Sequence, residues 1–551
     1  MNSLFNEEQI KETKYWAEIF QKFLRVDENT LQELANFIDN TDIIHYPSLC
    51  HFLYLSLELR PFKSILYTKL LTLLRSSNKN IFYHQLLSDE IFSPSIYPYF
   101  PNSPKYSFLF DCLNYDPTKP IYEISEVYNE FKKSIETQQI SSDEILVCYA
   151  WIAPEISNAY GEKDEISGLI ESIFKKNSSS IENIQNFYSK FNDYKSDNFK
   201  KLKEERSNPI NDPIKRTILS KSPFNLNYQK IQNSEEFVLN DENKKDLIEK
   251  TIIFDLIFER CQYKFVNPTI LQYCAYYNAY DIYDRLVENG ANDDINDTAG
   301  NTIAHYSIAG VDGFHSKSET FVKKIEKKLD FRLTPEMATE LNQNEIFQWL
   351  VDSVYYFKYM EQSILTISSS FSNLSILLYC IENTRFLIEK NIPIDFETPL
   401  FEAAQNGNVE VVKFLLPAYL KQNESKNVNF VKNEMNLFYA AFNKRRINML
   451  NYFLKASSEN MIVNSNFVYR GKQAIVRAVE MRQIDMIELL LKFPNIDVNV
   501  VCGGMTPLHL AAKDGNTEIV KILLNFEGTN PNISTVFNFV YFFNFVLFIF
   551  F

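Results

Sequence analysis

In "HYPSLCH" (45–51), His45 and His51 flank Cys50. A thiol beside an imidazole is the pairing of an activated nucleophile, and the same side chains are metal-ligand types. No Asn, Asp or Glu stands at a spacing that would orient either imidazole, so neither chemistry is expected here. The acidic pairs Asp89–Glu90 and Asp293–Asp294 sit beside turn residues and lack the alternating Asp/Asn loop of a calcium site, so both are expected to be solvated. The chain carries no G-x-G-x-x-G, phosphate-binding loop, G-x-S-x-G or H-E-x-x-H, and 12 glycines leave little material for phosphate cradles. The seven cysteines (50, 112, 148, 261, 274, 380 and 502) are scattered with no C-x-x-C, which argues against a zinc module or disulfide framework. A reducing cytosol is their natural setting. No catalytic, cofactor-binding or metal-binding residue is expected.

The clearest positional signal lies instead in "TPLHLAAKDGNTEIVKILLN" (506–525). Thr506 is suited to cap a helix and Pro507 to open it, where a missing N–H is harmless. Leu508, Ala511 and Ala512 make a small apolar face, and Gly515 can adopt the left-handed conformation that ends the helix. Asn516 or Thr517 can then cap a second helix carrying Ile519, Val520, Leu523 and Leu524 at helical spacing. Two such short helices cannot bury their apolar faces alone. Related stretches stand upstream at 473–493, 398–416 and 271–292, with Ile475 lying 33 residues before Leu508. In all four, matched apolar residues of the two helices are 15 apart: 271 and 286, 400 and 415, 475 and 490, 508 and 523. One helix–turn–helix of fixed size produces that constancy. Weaker copies open near Asn436, Asn373 and Thr302.

A period near 33 with T-P-L-H-x-A at the first helix resembles the ankyrin repeat. The resemblance covers roughly 265–533 and is closest over 503–533. It rests on Thr506, Pro507, Leu508, His509, Ala511 and Gly515, on Thr398, Pro399 and Gly407, and on Thr302, His305 and Gly290. Residues 265–310 also resemble divergent ankyrin-like modules that precede ordinary repeats in large protist families. The resemblance implies an all-α solenoid in the C-terminal half, with imidazoles at 305 and 509 bonded near the Thr caps. It further implies a protein-binding scaffold or adaptor without catalysis or cofactor, whose contacts lie at the tips between repeats: Gly503 to Met505, Tyr469 to Gly471, and Ile394 to Glu397.

The 551-residue chain as a whole reads as globular, with 45% hydrophobic and 23% charged residues. Residues 1–175 form a helical N-terminal domain of unknown type. Leu31, Leu34, Phe37 and Ile38 follow a cap at Asn29 or Thr30, the leucine-rich 46–74 breaks at Pro61, and the proline-rich run 93–104 is a loop. A polar connector is expected over 176–240, divergent repeats over 265–397 with an insertion near 311–370 that reads either as a true insertion or as elongated, degenerate repeat helices, and regular repeats over 398–533. Within the insertion, 318–331 reads as a basic amphipathic helix with Phe321, Ile325 and Leu329 on one side. A second helix follows from Thr334 and Pro335. The net charge of −14 argues against nucleic acid as partner. The apolar tail 536–551 has three readings: a short membrane anchor, a cap over the last repeat, or a reading frame off its true course. With no apolar signal core at the start, the cytoplasm is the expected compartment. The alternatives are a catalytic N-terminal domain targeted by the repeats, and a protein tethered to membrane by its tail.

Overall fold

The computed structural model describes residues 4–60, 63–75, 80–94, 104–116, 118–161, 164–176, 193–194, 199–207, 268–277, 279–297, 300–310, 325, 334–353, 361–383, 394–424, 428–459 and 461–533. The tail reading, the connector outside 193–194 and 199–207, and the basic helix apart from Ile325 lie outside the described residues.

The elements of the N-terminal part are all helical among its described residues. Its helices are α1 (Glu7–Arg25), α2 (Leu31–Asp39), α3 (Tyr46–Leu59), α4 (Ser64–Arg75), α5 (Asn80–Gln85) running on into one π-helical turn (Leu86–Ile91), and α6 (Pro104–Asn114). They continue with α7 (Ile124–Glu136), α8 (Ser142–Tyr160), α9 (Glu165–Lys176) and α10 (Lys200–Ser207). A reciprocal Asn6–Gln9 capping box starts α1, with Glu7 and Glu8 at its positive end and Lys22 and Arg25 at its negative end. Leu31, Leu34 and Ile38 face the core as the spacing predicts, while Phe37 is half-buried beneath the Lys22 ammonium. The acceptor at this helix start is Asp27, which takes the backbone N–H groups of Asn29 and Thr30. These bonds hold the Asp27 carboxyl below its usual range, the Thr30 backbone contact first among them. α10 packs on α8 with Leu202 buried.

From Ile270 the chain becomes a line of helical pairs. These are α11 (Ile270–Tyr276) with α12 (Tyr280–Glu288), α13 (Ile303–Ala309), and α14 (Thr334–Glu340) with α15 (Asn344–Ser353). Then come α16 (Glu361–Ser370) with α17 (Leu374–Asn383), and α18 (Glu397–Asn406) with α19 (Val409–Gln422). The last three pairs are α20 (Leu437–Asn443) with α21 (Ile447–Ser458), α22 (Ala474–Glu480) with α23 (Ile484–Leu490), and α24 (Pro507–Lys513) with α25 (Thr517–Leu524). First helices stack on first helices from α11 through α13, α14, α16 and α18 to α20, and again from α22 to α24. Second helices α19, α21 and α23 do the same. All eight residues of the 15-residue spacing are buried. Burial of a side chain of that size contributes about 1.5–3 kcal/mol.

Each pair from α14 onward turns the same way. One residue between its helices is left-handed: Asn342, Ser372, Gly407, Arg445, Arg482 and Gly515, with φ between +53° and +85°. The next residue returns its N–H to a carbonyl five positions back: Gln343 to Ala338, Asn373 to Ser368, Asn408 to Ala403, Arg446 to Ala441, Gln483 to Ala478 and Asn516 to Ala511. This is the closure that satisfies the last carbonyls of a helix.

Two expectations about the order of the helices change. The single helix expected from Thr334 is two helices, because left-handed Asn342 stops the first and starts the turn. The weak copy expected to open at Asn373 begins one helix earlier. α16 is the first helix, stacked between α14 and α18, and Leu374–Asn383 is the second.

Candidate functional site

The front edge of the last repeats carries three hairpins. Val431–Lys432 pairs with Met435–Asn436 around Asn433 and Glu434, whose φ values are +50° and +63°. Tyr469 bridges Lys472 around Arg470 (+48°) and Gly471 (+75°), and Cys502 bridges Met505 around Gly503 (+57°) and Gly504 (+79°). Two consecutive left-handed residues define the tight turn whose twist matches the flanking strands.

Asparagine clamps lock successive loops to one another. Asn429 accepts the N–H of Asn464 (2.7 Å) and donates to the Ile462 carbonyl (3.2 Å). Asn466 holds Asp497 in the same way (2.8 Å), and Asn499 holds Asn530 (2.8 Å) and Gly528 (2.7 Å). The Cys502 thiol donates to the Gly471 carbonyl, tying the last two tips together.

The sequence-predicted residues fall as follows. The Thr506 hydroxyl accepts the His509 N–H (3.3 Å) and lies 2.6 Å from His509 Nδ1, with Pro507 opening α24. Burial depresses the His509 pKa. Thr302 and His305 make the same box, Nδ1 lying 3.0 Å from the Thr302 N–H. Leu508 and Ala511 are buried, and Gly515, Gly407 and Gly290 are all left-handed. Thr398 and Pro399 do not repeat the Thr506–Pro507 start. α18 begins at Glu397, and Asp395 accepts the N–H groups of Glu397 (2.9 Å) and Thr398 (3.3 Å). Gly503, Met505 and Tyr469 sit at hairpin tips. Glu397 is exposed in the first turn of α18, where no hairpin lies among the described residues.

Sequence reasoning missed the back edge, where the N-terminal domain docks. Phe5 stacks on Phe414 (centroids 4.7 Å apart) and meets Phe396 edge-on, and α1 packs on α17 and α19. Three equivalent residues, each just after a left-handed turn, reach across. Asn408 Oδ1 lies 2.8 Å from His51 Nε2, Arg446 donates to Ser93 Oγ (3.3 Å), and Gln483 donates to the Thr137 carbonyl (3.4 Å). Asn408 Nδ2 is committed to the Ser369 and Ser370 carbonyls at 2.7 Å each, so Oδ1 is the acceptor and His51 Nε2 donates to it. His51 Nδ1 faces both Glu90 carboxylate oxygens at 3.2 Å, and all three residues are buried. Ser48 donates to Glu410 (2.7 Å), while Asp485 joins Arg445 to Lys133.

This geometry removes the Cys50–His51 pairing. Both imidazole nitrogens are engaged elsewhere, and the Cys50 thiol points to the Phe82 carbonyl at 3.6 Å. Burial, then the charges of Glu90 and Asp89, push that thiol well above its ordinary pKa. A buried protonated thiol is a weak nucleophile. His45 lies against the Trp16 ring. A groove of about 700 Å³ between α1, α2, α15 and α17 carries three cations, and each is paired: Lys14 with Glu382, Lys22 with Glu33, and Arg25 with Glu345. Among the described residues, no three His, Cys, Asp or Glu side chains are grouped to hold a metal, and no helix is long and apolar enough to cross a membrane.

Stacked helical pairs with a uniform turn and a hairpin edge define a helical-repeat solenoid. Residues 437–535 match the family model of ankyrin repeats in three copies, and residues 365–416 match that of ankyrin repeats in many copies. The C-terminal part of this chain is an ankyrin-repeat region. The stacking starts well before these matches, at Ile270. No curated protein matches the chain.

Proposed function

We propose that the chain is a cytoplasmic scaffold or adaptor that binds a partner protein through the hairpin tips, with Gly503, Met505 and Tyr469 at the contact and Glu397 at its upstream margin. It does so without catalysis, cofactor or nucleic acid. Stacked repeats build extended binding surfaces, and ankyrin repeats serve protein interaction in general. The observation that carries the reading is the asymmetry of the solenoid. Its back edge is occupied by the N-terminal domain, and its front edge presents a row of exposed tips.

Photo-crosslinking tests this in full-length protein within its source cells. A photoreactive residue placed at Met505 is expected to yield a discrete adduct with another protein. The same residue at Lys455, exposed on second helix α21, is expected to yield none. Adducts from Lys455 alone would refute the reading.

A further inference from the structure

Val431, Val468 and Val501 hold one equivalent position, immediately before the residue that closes each hairpin. They are 55%, 54% and 56% exposed. Isolated exposed valines are ordinary, but three at the same place in three consecutive repeats form a row. Between them the half-exposed Tyr469 ring carries the Arg470 guanidinium 5.1 Å above its centre.

The charge beside this row runs against that of the chain. Lys432, Arg470 and Lys472 lie on the tips and Arg477 on first helix α22, against Glu434, Glu480 and Glu402, on whose carboxylate Lys432 acts electrostatically. Glu480 is already paired with Lys472 at 2.6 Å. Arg477 acts electrostatically on Tyr439, whose ring meets Tyr469 at 5.3 Å. In a chain of net charge −14, this face is locally cationic.

Spacing narrows the partner further. Packed helices lie about 8–10 Å apart, so the valines recur at about that interval along the stack. A polyproline-II segment rises about 3.1 Å per residue, which sets every third side chain about 9.3 Å apart on one side. A β-strand places same-face side chains about 6.6 Å apart, which does not fit the row.

Resting on the interaction reading above, we infer that the valine row takes an extended acidic peptide segment with an apolar residue at every third position. Its carboxylates meet Arg470 and Arg477, and its apolar side chains seat beside Val431, Val468 and Val501.

Fluorescence anisotropy on the full chain tests the inference with three labelled peptides. One repeats leucine–aspartate–glutamate four times, one replaces the acids by lysine, and one keeps the acidic composition with leucines seven residues apart. The first is expected to bind about tenfold or more tighter than either of the others, and to weaken in roughly 0.5 M salt. Val468→Asp, at an exposed site that leaves the fold intact by circular dichroism, is expected to weaken it about tenfold or more. Equal binding of the acidic and lysine peptides, preference for the sevenfold spacing, binding untouched by Val468→Asp, or no binding at all would each overturn the inference. If any of these occurs while crosslinks from Met505 persist, only the peptide class falls. If the crosslinks are absent too, the interaction reading falls with it.

Discussion

At the back of the solenoid, Asn408, Arg446 and Gln483 occupy one equivalent position in three consecutive repeats, and each commits its side chain to the N-terminal domain. At the front, Val431, Val468 and Val501 occupy another equivalent position and stay more than half exposed. Both rows exist because the repeat copies its backbone faithfully, so any side chain at a given place recurs in a line. They differ in chemistry. The back row is polar and dry, where a lost partner strands a desolvated donor or acceptor. The front row is apolar and wet, where a lost side chain strands nothing in the free protein. Stability is therefore concentrated behind, and the surface proposed for recognition lies in front.

The sharpest break in this comparison comes from one residue type at one repeat position. Asn408 and Asn516 both follow a left-handed glycine at the turn. Asn516 only caps α25, accepting the Ile519 N–H at 3.1 Å. Asn408 makes no such cap and instead bonds His51, Ser369 and Ser370. Asn408→Ala is expected to cost about 3 kcal/mol or more, because it leaves the buried His51 N–H and the Ser369 carbonyl unpaired, while the Ser370 carbonyl keeps its bond from Asn406. Asn516→Ala is expected to cost about 1 kcal/mol, the value of a helix cap. Urea denaturation measures both, and equal losses would mean that the seam contributes nothing.

Asp89 sharpens the same contrast through pH. Burial raises its carboxyl to about 6; the Ser88 hydrogen bond and Arg445 oppose this, while Glu90 and Asp485 add to it. The unfolded chain releases this proton near the ordinary value of about 3.9, before the folded chain does. Stability is therefore lost as pH rises from about 4 through 6. Two units at 1.36 kcal/mol each set an upper limit of about 3 kcal/mol, and residual solvent contact reduces the expected loss to about 1–2 kcal/mol. Asp89→Asn is expected to recover that amount at pH 7 and nothing at pH 4, read from denaturation midpoints at the two pH values.

The two rows also differ from the helices in how far they can be read before folding. The 15-residue spacing and the Thr–His boxes state the helical pair directly, because period and cap chemistry are local. The break at Asn342 is harder to see, since its turn uses asparagine where Gly407 and Gly515 advertise theirs. The repeat frame at Asn373 is hard to read because Leu374, Leu377 and Leu378 look like a first helix until α1 is seen against them. The seam is not legible at all. His51 lies 39 residues from Glu90 and 357 from Asn408, and neither distance has a pattern. The valines escape notice because "VKNEM", "VYRGK" and "VCGGM" align only once their turns are known.

A smaller effect is expected from the hairpin that lacks glycine. Asn433 and Glu434 hold left-handed positions where the other two tips use Gly471, Gly503 and Gly504. A left-handed non-glycine residue costs about 1–2 kcal/mol, partly offset in a glycine variant by a freer unfolded chain. Glu434→Gly is expected to raise stability by about 0.5–1 kcal/mol, seen as a higher urea midpoint with an unchanged slope. A loss would mean that Glu434 makes a contact worth more than its strain.

The smallest expected change in stability carries the most information about function. Val468→Ser and Val501→Ser together remove mainly exposed apolar surface and no core residue, so stability is expected to stay within about 0.5 kcal/mol of the parent. Crosslinking from Met505 in the same double variant is expected to fall severalfold, because an exposed apolar row gains its burial only when a partner covers it. A variant as stable as the parent that crosslinks as well as the parent would show that the front row is bare surface, and the contrast between the two edges would then describe folding alone.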